Sequence, residues 1–575
     1  MDMALANDTP AKKSIIAKIK SRIHESPYSL CLSYPIGSGG IGIIQLFPSH
    51  IRISADCTPT QRIYDQVMAV FKSFNQLLAL GLWGFCILAS GLWAAPAHAD
   101  QTLRVAVVTF PPGGADPRKS VSVFATYTWS PIYEALTTFG EDGTLMPELA
   151  TSWERASPTS WEFKLREGVT FSNGKPLVAQ DIVDNIMGLK QGDGALQPVA
   201  RQLESITTAR ALDTRTVLVE TAQPNAILPR ELSALFILEP EAWRKLGPVE
   251  FTRNPVGTGP FKLAKWGDAK IDYVPNALSW RAPKVKALEI REMAESTGRL
   301  QALLTGQADI AIGMGPDELP EIEAAGGLLH KRQPHDVISL SLVVEPGKPA
   351  ADVRVRQALN YAVDKVSITK VILQGFSRPA TQGAVEGLLG YDPDLKPYPY
   401  DPAKAKSLLK EAGYEKGFTL DAEVIVSSNA GDGPIYQFVA NNLAAVNVKL
   451  NLITIPTPQM IRIINQGEWK GDAFSQVFGS WPTFEPLRTL RLHSCLWPKP
   501  WYCDQRIMPT FKAAMSAPDL EQRAKLTSEV LRFYHDEATA IMLHEIPLLE
   551  GVAKRVKNYA PQKGKLNYET IELVD

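Results

Sequence analysis

The sequence predicts an α/β protein of more than one domain, on three observations. The chain has 575 residues, well above the ~100–200 of an ordinary single domain. It is 45% hydrophobic and 21% charged, which is globular composition and excludes global disorder. Beyond residue 100, short β-rich runs alternate with segments of helical spacing, the pattern of sheets covered by helices.

Residues 102–110, TLRVAVVTF, read as a strand running into a Pro-Gly loop. Residues 127–139 place Trp129, Ile132, Tyr133 and Leu136 at helical spacing. The WEFKL of 161–165 alternates as a half-buried strand does. A helix is predicted over 179–189, with Asp181 in its first turn, where a carboxylate suits the helix dipole. Residues 206–219 hold two short strands, 254–260 is a loop, and 261–265 with 269–274 form a hairpin. Strand, helix, strand and helix follow at 287–290, 297–305, 308–311 and 316–324. The VISLSLVV of 337–344 alternates strongly. A helix begins at Val353, and Asp401-Pro402 starts another that stops at Gly413. Strands at 418–426 and 448–455 enclose a helix at 435–444. Helices at 459–466 and 518–536 precede a last strand at 541–551.

Sixty Lys and Arg against 61 Asp and Glu give a net charge of −1. That removes the basic surplus a general nucleic-acid binder needs. One segment alone, near residue 80, is apolar enough to concern a membrane, so a multi-span transporter is excluded. Lys72, the apolar run 77–93 and Ala97-His98-Ala99 have the order of a signal peptide cut after Ala99. The alternative is a retained anchor; the small-x-small end and Pro96 favour cleavage. Residues 68–99 are therefore expected as signal peptide, with Met68 as the true start and 1–67 as a non-native extension. Export places the mature chain in an oxidising compartment, where Cys495 and Cys503 are expected to pair. Closing so short a ring contributes about 2–3 kcal/mol.

Catalytic motifs are missing. There is no GxSxG, HExxH or GxxxxGK[ST], and Pro260 blocks the GxG at 257–259 as a dinucleotide turn. The five histidines beyond residue 100 show no i, i+4 pair, and two Cys without neighbouring His make a poor zinc site. No metal, cofactor or catalytic residue is expected.

Several segments in order resemble the solute-binding proteins of ABC importers, in the dipeptide/oligopeptide/nickel-binding family. These are YEAL at 133–136 with LMPELATSW at 145–153, WEFKLREGVTFSNGKPLVAQD at 161–181, and NPVGTGPF at 254–261. VRVRQALNYAVDK at 353–365 and the helix 401–414 complete the series. The resemblance spans about 102–560. Its motifs are mostly architectural: Gly168, Gly174, Gly257 and Gly259 are expected to serve φ > 0 or tight turns, and Arg354 and Asp364 to be helix-surface or lobe-anchoring charges rather than ligand contacts.

The resemblance implies a two-lobe, type II periplasmic binding protein with an inserted subdomain and two hinge crossovers. Lobe one is expected at 100–138, 250–345 and 547–575, the insert at 139–249, and lobe two at 346–546. The strands 337–345 and 541–551 are the expected hinge. It further implies a peptide or small-molecule ligand in the interlobe cleft, permease subunits in the inner membrane as partners, a periplasmic location and a monomer. Loops facing that cleft nominate Phe110, Tyr127, Trp129, His335, Trp481, Thr483, Phe484, Glu485 and Arg488. In dipeptide binders the 479–485 loop carries an Asp for the ligand's ammonium. Here Trp481 stands in that place, and Glu485 is the nearest acid. Trp481 and Phe484 suit stacking on a flat or apolar ligand, and Arg488 or Arg491 a carboxylate; packing within the lobe is the alternative. Two other functions stay open: a hydrolase built on Ser480 with His335, and a ligand-presenting chemoreceptor partner.

Overall fold

The computed structural model describes residues 31–36, 40–45, 101–426 and 431–574. Apart from an antiparallel strand pair, Cys31–Ile36 with Gly40–Gln45, the expected extension and signal segment lie outside the described residues. All other elements belong to the unit that begins at Ala99.

Two sheets form two lobes. The first has seven strands in the order Phe261–Trp266, Lys270–Pro275, Ala287–Glu292, Thr102–Val107, Ile310–Ile312, Leu548–Val552, Leu328–Arg332. Its centre is parallel: Thr102–Val107 lies between Ala287–Glu292 and Ile310–Ile312. Such strands are covered on both faces, which is why TLRVAV reads as a nearly continuous apolar run. The second sheet orders Val448–Thr454, Phe418–Val424, Ala473–Gly479, Asp336–Leu342, Ala540–Glu545. A four-stranded antiparallel sheet, Ala150–Ser157, Ser160–Leu165, Thr216–Thr221, Ile206–Ala211, forms the inserted layer. Helix Ala179–Gly188 packs on it through Ile182 and Ile186.

The chain changes sheet at 333–335, and again at Ile546-Pro547. The expected hinge strands are thereby corrected. Residues 336–342 run inside the five-stranded sheet, not at the end of lobe one. The run 541–551 is two strands, one in each sheet, because Pro547 has no N–H to continue a ladder.

Local signals explain the element ends. Asp401 accepts from the Lys404 N–H at 2.9 Å, Pro402 fills the first helical position, and Gly413 at φ 86° stops the helix. Asp181 accepts from the Val178 N–H at 2.9 Å. Gly168 and Gly174 do take positive φ, 75° and 87°. Gly257 and Gly259 do not; they are needed for close approach. A Cβ would stand 2.2 Å from the Ile132 carbonyl at Gly257 and 2.4 Å from that of Pro131 at Gly259. The 254–261 motif is thus the seam where this loop lies against 131–133, with Gly259 donating to Ile132 O at 2.8 Å. The predicted helix over 127–139 is also corrected: it spans Val123–Trp129, and Thr137–Phe139 is a strand. Cys495 and Cys503 are joined as a disulfide.

Candidate functional site

Strand Ala473–Gly479 ends at the junction of the two lobes, and the turn after it is firmly tied. The Ser480 N–H donates to Asp336 Oδ1 at 2.9 Å, and its Oγ to the His335 carbonyl at 2.7 Å. The Trp481–Pro482 peptide is cis, and Phe484 sits at φ 52°, a region bulky residues rarely adopt. This backbone aims the Phe484 ring into the junction. There it meets Phe139, His335 and Trp481 edge-on, at centroid distances of 4.6, 5.4 and 5.5 Å. Edge-to-face contacts of this kind are the favoured aromatic geometry. Lys563 Nζ lies 5.3 Å from the same ring centre.

Side chains cross the junction and hold it shut. Trp481 Nε1 donates to the Val121 carbonyl at 2.6 Å. Its ring lies against Gly564, where a Cβ would come within 2.1 Å of Cζ3. From the insert, Arg230 Nη1 donates to the Thr483 carbonyl at 3.3 Å and Ser233 Oγ to that of Pro482 at 3.5 Å. Arg488 Nε reaches Gln202 Oε1 at 3.2 Å, and Arg491 pairs with Glu204 at 3.0 Å. The void left between Thr138, Phe139, Trp481, Lys563 and Lys565 is about 10 Å³, the space of one water. A cavity of about 610 Å³ opens beside the crossovers, lined by Asp142, Arg332, Pro334, Ser377, Arg378 and Glu545 among others.

Charged groups behind this junction are paired. Arg332 Nη1 meets Glu550 at 2.8 Å and donates to the Tyr127 hydroxyl at 3.1 Å. Burial pushes that hydroxyl up to about 12, so it is a neutral phenol. Lys565 holds Glu148. Arg523 holds Glu485 at 3.0 Å. Burial also pushes the His335 imidazole down. His335 Nδ1 and Thr483 Oγ1 are buried with no hydrogen-bond partner among the described residues.

The nominated residues therefore divide. Tyr127, His335, Trp481, Thr483 and Phe484 lie at the junction. Phe110 sits at the margin of the lobe-one core, edge-on to Trp266 at 6.1 Å. Trp129 is in that core, donating to Gly114 O at 2.9 Å. The Glu485 carboxylate is taken up by Arg523, so it is not free for a ligand ammonium. Arg488 is spent on Gln202. Ser480 Oγ bonds the His335 carbonyl rather than its ring, so the two do not form a nucleophile and base. Sequence patterns do not reach Lys563, Arg230 or Arg332. Lys563 belongs to an aperiodic C-terminal stretch, PQKGKL, where no pattern marks which side chains turn inward.

The family profile described as bacterial extracellular solute-binding proteins, family 5 Middle, matches residues 144–491. The glutathione-binding protein GsiB of Pectobacterium atrosepticum is 29% identical over 395 residues, 67% of this chain and 74% of that protein. The dipeptide-binding protein of Escherichia coli K12 is 27% identical over 508 residues, 80% of this chain and 93% of that one. Among solved structures, the periplasmic binding protein DppA from Helicobacter pylori with the peptide STSA superposes with a TM-score of 0.69. It is 22% identical and covers 82% of this chain and 98% of its own. The chain belongs to the bacterial extracellular solute-binding proteins of family 5 and is a solute-binding protein of ABC importers.

Proposed function

We propose that this protein captures a peptide or a small carboxylated solute in the periplasm and delivers it to an inner-membrane permease. In this reading it is exported with cleavage after Ala99, acts as a monomer and performs no covalent chemistry. The junction of Phe484, Trp481, His335 and Thr483 supports it: two buried polar atoms there lack partners, His335 Nδ1 and Thr483 Oγ1. Buried polar groups left unpaired cost stability, and a polar solute would satisfy them. The relatives named for glutathione and dipeptides give the same class of ligand. Capture without chemistry needs only a solute that favours the shut form over the open one.

Titration of the purified protein with glutathione, dipeptides and tripeptides tests this. A bound solute at 100 times its Kd should add ~2.7 kcal/mol to the unfolding free energy, and recover unchanged. Hydrolysis of the solute, or no binding across peptides and carboxylates, would refute the proposal. Trp481→Ala removes both an aromatic wall and the bond to Val121. It should weaken binding by ~1–3 kcal/mol, with a smaller effect on the melting temperature, since Trp481 is only half-buried. A sharply lower melting temperature with unchanged affinity would make Trp481 a packing residue alone.

A further inference from the structure

Beside the two crossovers a third connection joins the lobes, and it is not covalent. Residues 378–380 run along Ala540–Glu545, the edge strand of the five-stranded sheet. Glu545 N donates to the Arg378 carbonyl at 3.0 Å, and Ala380 N to that of Leu543 at 3.2 Å. The Arg378 guanidinium also pairs with Glu545 and Glu386, at 3.1 and 2.8 Å. Two residues earlier the chain turns away from this sheet. The half-buried Phe376 packs on a cluster carried by the seven-stranded sheet and its helices, with Leu300, Leu303, Met314, Ile322, Leu329 and Leu549. Lys331 Nζ of the same lobe stands 6.0 Å from the Phe376 ring centre. Gln374 Nε2 donates to Asp317 Oδ1, in the short turn Pro316–Glu318.

The backbone is bent to make this reach. A π-helical turn, Ile368–Ile372, leads to Gln374 at φ 48° and Gly375 at φ 81°. A glutamine in the left-handed region is strained, and strain of this kind persists only where the surroundings over-determine it. Both lobes supply that constraint. Gly375 N donates to Thr369 O at 2.9 Å and Phe376 N to Leu373 O at 2.8 Å, while Ile368 and Leu373 are buried in the core of the five-stranded side. The base of the segment is thus fixed in one lobe and its tip in the other.

We propose that residues 374–378 form a strap that biases the lobes toward the shut form, with Phe376 as its pin. Ring and cluster sit on different lobes, so parting them exposes apolar surface on both. The strap weights the shut form before any solute arrives. A larger shut fraction lowers the apparent Kd of every solute by one common factor. That last step rests on the capture reading above; the action on the lobes does not.

Spin labels on cysteines introduced as Lys262→Cys and Lys449→Cys, exposed on the outer edge strands of the two sheets, report lobe separation in the solute-free protein. Phe376→Ala should lengthen the distances, Gln374→Ala should lengthen them less, and Phe376→Leu should keep them. Calorimetry with glutathione, a dipeptide and a tripeptide should show a loss of about tenfold in Phe376→Ala, equal across the three. Phe376 also lines the cavity of about 610 Å³, whereas Gln374 is not among its lining residues. A loss confined to one solute would therefore make Phe376 a wall contact and overturn the strap. Unchanged label distances in Phe376→Ala would overturn it too, as would tighter binding, which would mean that the contact holds the lobes open. Should Phe376→Ala fail to fold, the distances in Gln374→Ala decide alone. If no solute binds, the capture reading falls, and the label distances still decide the strap.

Discussion

Replacing Glu485 by Ala should lower the unfolding free energy by about 3–5 kcal/mol, the usual result of breaking a buried ion pair from one side. Glu485 is 2% exposed and Arg523 is 5% exposed. The guanidinium cannot follow the change by swinging into water. Its Nη1 also donates to the carbonyls of Ala514 and Met515, at 3.0 and 2.8 Å, which ties it to the end of helix Met508–Met515. With the carboxylate gone, a charge stays buried against two neutral acceptors. Glu485→Gln keeps an acceptor for Arg523 Nε and should cost less. Replacing both partners by apolar residues of similar volume should cost least, because no charge is then left to solvate. Urea unfolding of the three variants checks the order. A loss below about 1 kcal/mol in Glu485→Ala would show that the guanidinium finds water after all.

Raising the pH of the solute-free protein from 7 to 9.5 should stabilise it by about 5 kcal/mol. Two buried lysines produce the effect. Lys365, 3% exposed, donates to Asn360 Oδ1 at 3.1 Å and is set down to about 7 by burial. Lys563 is set down to about 8 by burial. Both folded values lie below the ~10.4 of an unfolded lysine. Between the two values the unfolded chain holds the extra proton, so stability rises with pH there. Linkage assigns about 3 kcal/mol to Lys365 and about 2 kcal/mol to Lys563 over this interval. Lys190, also lowered by burial, works in the same direction. The buried tyrosines have raised values, and so oppose the trend only above about pH 10. Lys365→Met should remove more than half of the slope and stabilise the protein at pH 7. A flat or falling profile between pH 7 and 9.5 would contradict the burial of both ammonium groups.

The sequence patterns that read correctly are those where one face is buried and the other is wet. WEFKL alternates because Phe163 and Leu165 face the insert core while Glu162 and Lys164 face outward. Between Ala125 and Phe139 every residue is buried. No wet face remains there to give a period, and the helical spacing of Trp129, Ile132 and Tyr133 is coincidence. The 541–551 run misleads similarly, since both its halves are apolar and only Pro547 marks the change of sheet. At the junction, Trp481 and Phe484 are legible because a Gly-Ser-Trp-Pro loop after a strand exposes its aromatics to whatever faces it. Glu485 is legible as an acid but not as a spent one: its partner stands 38 positions away. Lys563 and Arg332 come to the junction only through the pairing of Leu328–Arg332 with Leu548–Val552 and the chain that follows. That is tertiary information with no local trace.

Three of the bonds that hold the lobes shut end on main-chain carbonyls, those of Val121, Pro482 and Thr483. Every amino acid carries that oxygen, proline included. The acceptor positions can therefore drift in identity over generations without loosening the closed form, provided the backbone keeps its path. The donors, Trp481, Ser233 and Arg230, have no such freedom. At these three bonds closure is inherited unevenly: the donor side chain is fixed, while its partner residue is free to change for other purposes, including the shape of the wall that a new solute would meet.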